Sequence, residues 1–280
     1  MSRLTRWMRS HGIVKTPQEE DLRLLPTGQP GITQVGGEDY RFVDGATFCA
    51  SYDEIFGDEI YRFCAATPAP RIVDCGANCG LSVLYFKTLY PRSRIVAVEA
   101  DPDIFDTLTW NVTQRGWSDV ALVNKAVAVG CDEVTFHRQG ADAGRIHPLR
   151  GAVGTCSVPV VELDELLSEP TDLLKIDIEG AETEVLAGCR RLDMVSMLFV
   201  EYHSFVDTEQ SLHAVLAKLA ASGFRYYMWT QVCARRPLAE SKDFLGMDLQ
   251  VNVFAKRTAP STQLAGANGA SADGTLRSAG

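Results

Sequence analysis

The side chains able to bind and activate a small molecule fall into two groups along this chain. The first surrounds a glycine turn, RIVDCGANCG, from Arg71 to Gly80, and includes Asp74, Asn78 and, further on, Glu99 and Asn124. Glycine in such a turn takes positive φ and lets a ligand approach the main chain, and a carboxylate placed like Glu99 accepts hydrogen bonds from both hydroxyls of a ribose. The second group is Asp177, Glu179, Glu201 and His203. These are groups that can take a proton from an alcohol, and Glu201 and His203 share one face wherever a strand runs through both. An imidazole titrating near neutrality is chemically the best base of the four. The competing reading of His203 is a hydrogen-bonded residue at a strand-to-loop junction. Glu182 and Glu184, a few residues beyond Glu179, read as the solvated first turn of a helix.

These residues sit at the ends of apolar runs, which is what a parallel sheet requires. Ile72–Asp74, Arg94–Glu99, Val120–Asn124, Leu173–Ile178 and Met197–Tyr202 read as buried strands. Helices follow at Leu81–Tyr90, from Asp101-Pro102 to Gly116, at Ala181–Leu192 and around Leu212–Leu219, with Asp101 as the N-cap and Pro102 at the first helical position. Shorter strands are expected at Ala126–Phe136 and Val158–Val161 around a glycine-rich loop, Gly140 to Gly154. Phe224–Thr230 and Leu249–Ala255 read as the last two strands, with Phe224, Tyr226, Tyr227 and Trp229 as sheet packing. Upstream, Thr16–Thr33 reads as an extended lead-in, Tyr40–Cys49 as strand or turn, and Ser51–Phe63 as mostly helical. Strand and helix in alternation predict a doubly wound α/β sheet, whose ligands bind at the carboxyl ends of the strands.

Composition narrows the partners. The chain has 280 residues, a formal net charge of -9 and 46% hydrophobic residues, enough for a sizeable core and unsuited to a nucleic-acid substrate. Eight cysteines without a CxxC pair, and no secretory leader, predict reduced thiols and a cytoplasmic location. No apolar run has transmembrane length, and the basic start with Arg3, Arg6 and Arg9 reads as a solvated end, so no membrane partner is expected. His137 and His147 read as surface residues of the variable loop. The glycine turn lacks both the GxGxxG spacing of a dinucleotide fingerprint and the Lys-Ser/Thr ending of a P-loop. On its own it leaves NAD, FAD and S-adenosylmethionine open.

Three motifs in order, VDCGANCG, VEADP and KIDIEGAE, with SYDEIF upstream and VELDEL just before the third, resemble the FkbM family of S-adenosylmethionine-dependent methyltransferases. The resemblance runs from Tyr52 to Phe205. It implies a class I methyltransferase (Rossmann-like) fold: a seven-stranded doubly wound sheet with a final antiparallel strand inserted, preceded by an N-terminal cap segment. It divides the chain into an extension and cap (1–67), a cofactor-binding domain (68–256) and a disordered tail (257–280). Carried over, Asp74, Gly76, Ala77, Asn78 and Gly80 line the methionine half of the cofactor, Glu99 holds the ribose and Asn124 lies near the adenine. Asp177, at the centre of KIDIEG, holds the cofactor's ammonium group or the acceptor, and Asp177, Glu201 and His203 are the catalytic candidates. Cys75 and Cys79 fall at variable positions and receive no role. The implied reaction is O-methylation of a small-molecule or glycosidic hydroxyl, as in natural product biosynthesis. N-methylation of a peptide or amine, a cofactor-binding protein without turnover, and an NAD-dependent dehydrogenase are the rivals. A divalent metal held by Asp177, Glu179, Glu201 and His203 is the less favoured arrangement.

Overall fold

The computed structural model describes residues 22–138, 144–146 and 154–257. The basic start, His147, most of the Gly140–Gly154 loop and the tail beyond Arg257 lie outside the described residues.

The described chain begins with a hairpin of β1 (Gly31–Val35) and β2 (Glu38–Phe42), turned by Gly36 and Gly37 at φ +68° and +88°. Such a turn needs positive φ, which glycine supplies without steric cost. Helix α1 (Gly45–Tyr52) follows, its N-cap Asp44 accepting from the Thr47 N–H at 2.8 Å, and passes into one π-helical turn over Asp53–Gly57. The helix expected over Ser51–Phe63 is therefore set earlier, because Asp44 nucleates it where a strand or turn was expected. Phe48, Tyr52, Ile55 and Phe56 join Tyr85 and Phe86 in a single hydrophobic cluster, with Phe56 edge-on to Tyr85 at 5.3 Å. Among the described residues, α1 and the π-helical turn thus pack as a cap on the main core.

The main body alternates strand and helix: β3 (Arg71–Cys75), α2 (Leu81–Leu89), β4 (Arg94–Glu99), α3 (Pro102–Gln114) and β5 (Val120–Asn124). An excursion of β6 (Ala126–Val127), β7 (Glu133–Arg138) and β8 (Gly154–Val161) forms its own small sheet. Then come α4 (Leu163–Leu166), β9 (Thr171–Ile176), α5 (Glu182–Gly188), β10 (Val195–Phe205), α6 (Leu212–Ala221), β11 (Phe224–Val232) and β12 (Met247–Arg257). The seven-stranded sheet has the order β11-β12-β10-β9-β3-β4-β5. Neighbours from β10 to β5 pair in parallel, and β12 is inserted antiparallel between β10 and β11. The class I methyltransferase arrangement implied by the motifs is the one observed. All five residues of β3 are buried, as the centre of a sheet covered on both faces demands. Asp101 caps α3 by accepting from the Asp103 N–H at 2.9 Å, with Pro102 at its first position.

Four details differ from the sequence reading. Strand β9 stops at Ile176, leaving Asp177 to open the following loop. Strand β10 continues to Phe205 because β12 pairs with it along that length, so Glu201 and His203 lie inside it instead of closing it. Arg257, assigned to the tail, ends β12: its guanidinium donates to the carbonyls of Val195, Ser222 and Leu192 at 2.8, 2.7 and 2.6 Å. Of the four aromatics on β11 only Phe224 is buried, and Tyr227 and Trp229 are half exposed because this strand is a sheet edge paired on one side alone.

Candidate active site

The glycine turn after β3 is held by main-chain contacts on both sides. The N–H groups of Gly76 and Ala77 both donate to the Val98 carbonyl at 2.9 Å, and the Asp177 N–H donates to Cys75 at 3.1 Å. Gly76 has φ +82°, and a Cβ there would sit 1.8 Å from the Asp177 carbonyl oxygen. The loops after β3 and β9 therefore touch through a bare backbone. Asn78 is left-handed at φ +50°, a conformation asparagine tolerates better than most residues. Its side-chain oxygen accepts from the Cys79 N–H at 2.5 Å, and its own N–H donates to Glu99 Oε2 at 2.9 Å. Glu99 Oε1 accepts from the Asp101 N–H at 2.9 Å, so the carboxyl at the end of β4 is fixed by two backbone donors. Burial nonetheless pushes Glu99 up to about 7. Asn124 spends its amide on the carbonyls of Glu99 and Ala100, at 2.9 and 3.2 Å, and so braces the loop after β4.

Beneath the turn lies a charge that the motif reading passed over. Asp74 is 0% exposed; its Oδ1 is 3.1 Å from Lys175 Nζ and its Oδ2 accepts from Ser82 Oγ at 2.5 Å. The Lys175 ammonium, 2% exposed, also donates to the Gly76 carbonyl at 2.8 Å and lies 3.4 Å from Asp177 Oδ2. Burial alone would lower this lysine's pKa, but Asp74 and Asp177 outweigh it and hold the ammonium charged. Lys175 and Asp177 are two apart across the end of β9, and that spacing was the signal available for placing them together.

Glu201 and His203 share one side of β10, as their spacing predicted, and Glu179 and Glu182 reach the same imidazole. His203 Nε2 lies 3.7 Å from both Glu179 Oε2 and Glu201 Oε1, while Nδ1 is 3.0 Å from Glu182 Oε1. Glu182 is 1% exposed, not the solvated first-turn acid expected; it also accepts from the Gly180 N–H at 3.0 Å and the Ile178 N–H at 3.3 Å. Glu184 is exposed as expected. Burial would depress the His203 imidazole, but Glu179, Glu182 and Glu201 raise it well above its ordinary value. With both ring nitrogens protonated it accepts no proton, and Nε2 becomes a base or a ligand only on releasing that proton. Glu201 moves the same way, raised by burial and by Asp177, and accepts a hydrogen bond from Gln250 on β12. Glu54 from the cap, raised by burial and Asp177, accepts from Gln231 at 2.5 Å.

One cavity of about 380 Å³ collects both groups. Gly76, Ala77, Asn78 and Glu99 line it, as do Glu54, Lys175, Asp177, Glu179, Glu201 and His203, with Tyr61 and Ile55 contributed by the cap segment. Asn124 is not part of the lining, whereas Lys125, Ala126 and Val127 after it are. Asp74 lies below the wall and His137 stands on β7 outside it. All eight cysteines are free thiols, and among the described residues no helix is long and apolar enough to cross a membrane.

A parallel sheet with one antiparallel strand inserted, a glycine cradle after its first main strand and a carboxylate ending the next, defines a class I methyltransferase. Residues 74–226 match the family described as the methyltransferase FkbM domain, which is more than half of the chain. The chain belongs to that family. Among relatives, methyltransferase sdnD of Sordaria araneosa is 31% identical over 175 residues, 49% of this chain and 67% of that protein. The 31-O-demethyl-FK506 methyltransferase FkbM of Streptomyces tacrolimicus is 27% identical over 248 residues, 74% of this chain and 89% of that one. Hexuronic acid methyltransferase AglP of Haloferax volcanii is 28% identical over 139 residues, covering 48% and 56% respectively.

Proposed function

We propose that this protein transfers a methyl group from S-adenosylmethionine to a hydroxyl oxygen of a small natural product or sugar. The observation that carries this reading is the division of one cavity between two chemistries. Glu99 ends β4 and His203 lies in β10, three strands away in the sheet, or about 14 Å at the usual strand spacing. That span accommodates an extended nucleoside cofactor and an acceptor side by side. The residues present suit the cofactor: a left-handed glycine turn kept bare where it meets the Asp177 main chain, and a fixed carboxylate able to receive two ribose hydroxyls. When bound, S-adenosylmethionine supplies an activated methyl on a sulfonium, so the protein's task is alignment and removal of the acceptor's proton. Glu179, with a side chain 23% exposed, lines the cavity and is the carboxylate placed to receive that proton. Two relatives, a 31-O-demethyl-FK506 methyltransferase and a hexuronic acid methyltransferase, favour hydroxyl-rich acceptors.

Incubation with methyl-labelled cofactor and a panel of hydroxylated glycosides and macrolides is expected to yield labelled methyl ethers. Absence of binding of both S-adenosylmethionine and S-adenosylhomocysteine by calorimetry would sink the proposal. A finer expectation concerns Glu99. Its ionised form accepts from both ribose hydroxyls, and with its pKa raised to about 7 that form is lost as pH falls through neutrality. S-adenosylhomocysteine should bind about five- to ten-fold more weakly at pH 6 than at pH 8. The dependence should flatten in Glu99→Gln; a flat wild-type profile would mean that Glu99 is ionised throughout this range.

A further inference from the structure

The four groups beyond the cofactor cradle form a better cation site than a base. Asp177, Glu201 and His203 each offer one donor atom, and those atoms all lie within 4.8 Å of one another. Two opposed metal–ligand bonds of about 2.0–2.4 Å span about 4–4.8 Å, so one ion bridges the set with small side-chain adjustments. The imidazole is already oriented for it. Nδ1 is engaged by the buried Glu182 carboxylate at 3.0 Å, the outer carboxylate partner that metal-bound histidines commonly have. Nε2, on a side chain 2% exposed, points toward Glu201 and Glu179 but stays 3.7 Å from each, too far for a hydrogen bond. This ring nitrogen thus faces carboxylates of Glu179 and Glu201 at a separation that leaves room for an ion between them.

We propose that Asp177, Glu201 and His203, with Glu182 orienting the imidazole, bind one divalent first-row transition ion, its open positions facing the cavity. One nitrogen among oxygen donors selects Mn²⁺ or a similar ion over Mg²⁺ and Ca²⁺, which favour oxygen alone. The ligands come from β10 and the loop after β9, so the remaining positions face the acceptor side of the cradle. A hydroxyl of the acceptor bound there is fixed and made more acidic, and its proton passes to solvent or to the adjacent Glu179. This role for the ion rests on the methyl-transfer reading above; its binding does not.

The test is titration of the full chain, stripped with chelator, with MnCl₂ alone, followed by electron paramagnetic resonance and calorimetry. The expected result is one Mn²⁺ per chain, displaced by Mg²⁺ only at an excess of at least about a hundred-fold. Glu201→Gln and His203→Ala should each weaken binding at least ten-fold, and Glu182→Gln, which removes no ligand, by about ten- to a hundred-fold. S-adenosylhomocysteine binding, measured on the same samples, reports whether each variant is folded and whether the cofactor reading stands. Mn²⁺ bound without S-adenosylhomocysteine would support the ion site and count against the cofactor assignment. No stoichiometric Mn²⁺ in the wild type, or Mn²⁺ affinity unchanged in both Glu201→Gln and His203→Ala, overturns the proposal.

Discussion

Gly76→Ala is expected to abolish S-adenosylhomocysteine binding and to lower Tm by about 5–15 °C. The added Cβ would stand 1.8 Å from the Asp177 carbonyl oxygen, and both partners are main chain, so no side chain can swing aside. The residue also keeps φ +82°, which alanine adopts only at a cost of about 1–2 kcal/mol. Relief requires the loops after β3 and β9 to separate, and those two loops carry the glycine turn and Asp177. Gly80→Ala is the comparison: φ is +91°, but the added Cβ meets only the tip of Leu108, at 2.7 Å. Its loss of binding and of Tm should be smaller. Calorimetry and thermal unfolding of both variants decide the matter; wild-type affinity in Gly76→Ala would show that the loops yield and the cradle is not rigid.

The second large effect is on stability. Lys175→Met leaves the Asp74 carboxyl, 0% exposed, without its cation, and removal of one member of a buried ion pair costs about 3–5 kcal/mol. Urea unfolding at pH 7 should show that loss in the single variant. Adding Asp74→Asn should recover part of it, because the uncompensated charge is gone and Ser82 can still bond the side chain. A single variant less than about 1 kcal/mol below wild type would mean that Asp74 is neutral in the folded protein.

Much of this architecture is written in local signals. Asp101-Pro102 marks the start of α3, Pro91 and Gly116 bound the helices before β4 and β5, and RIVAVE, apolar between its charged ends, is a strand to the residue. Glu99 was legible because it ends that run and follows a glycine turn. The hairpin of β1 and β2 was missed although Gly36-Gly37 is a strong two-residue turn signal, and α1 was placed late because the Asp44 cap lay inside a segment read as strand or turn. In the site, spacing brought Glu201 and His203 together correctly, since a continuing strand puts them on one side. What spacing could not convey was their charge state. The raised pKa of His203 depends on Glu179 in the loop after β9 and Glu182 at the start of α5 reaching back to the imidazole, a tertiary contact without a local signature. Lys175 was hidden for a similar reason: inside a strand, a lysine reads as a break in the apolar pattern until its buried partner is known.

Glu54 in the cap is within 3.4 Å of Asn252 Nδ2, across 198 residues of chain, and Glu201 receives Gln250 from the same strand. During synthesis the glycine cradle, Glu99 and Lys175 all emerge well before residue 250, whereas the polar wall opposite them is incomplete until β12 slides between β10 and β11. A nascent chain can therefore shape the cradle while the acid pocket is still open to water. A ribosome stalled before residue 250 would display a half-site lacking the contacts from β12.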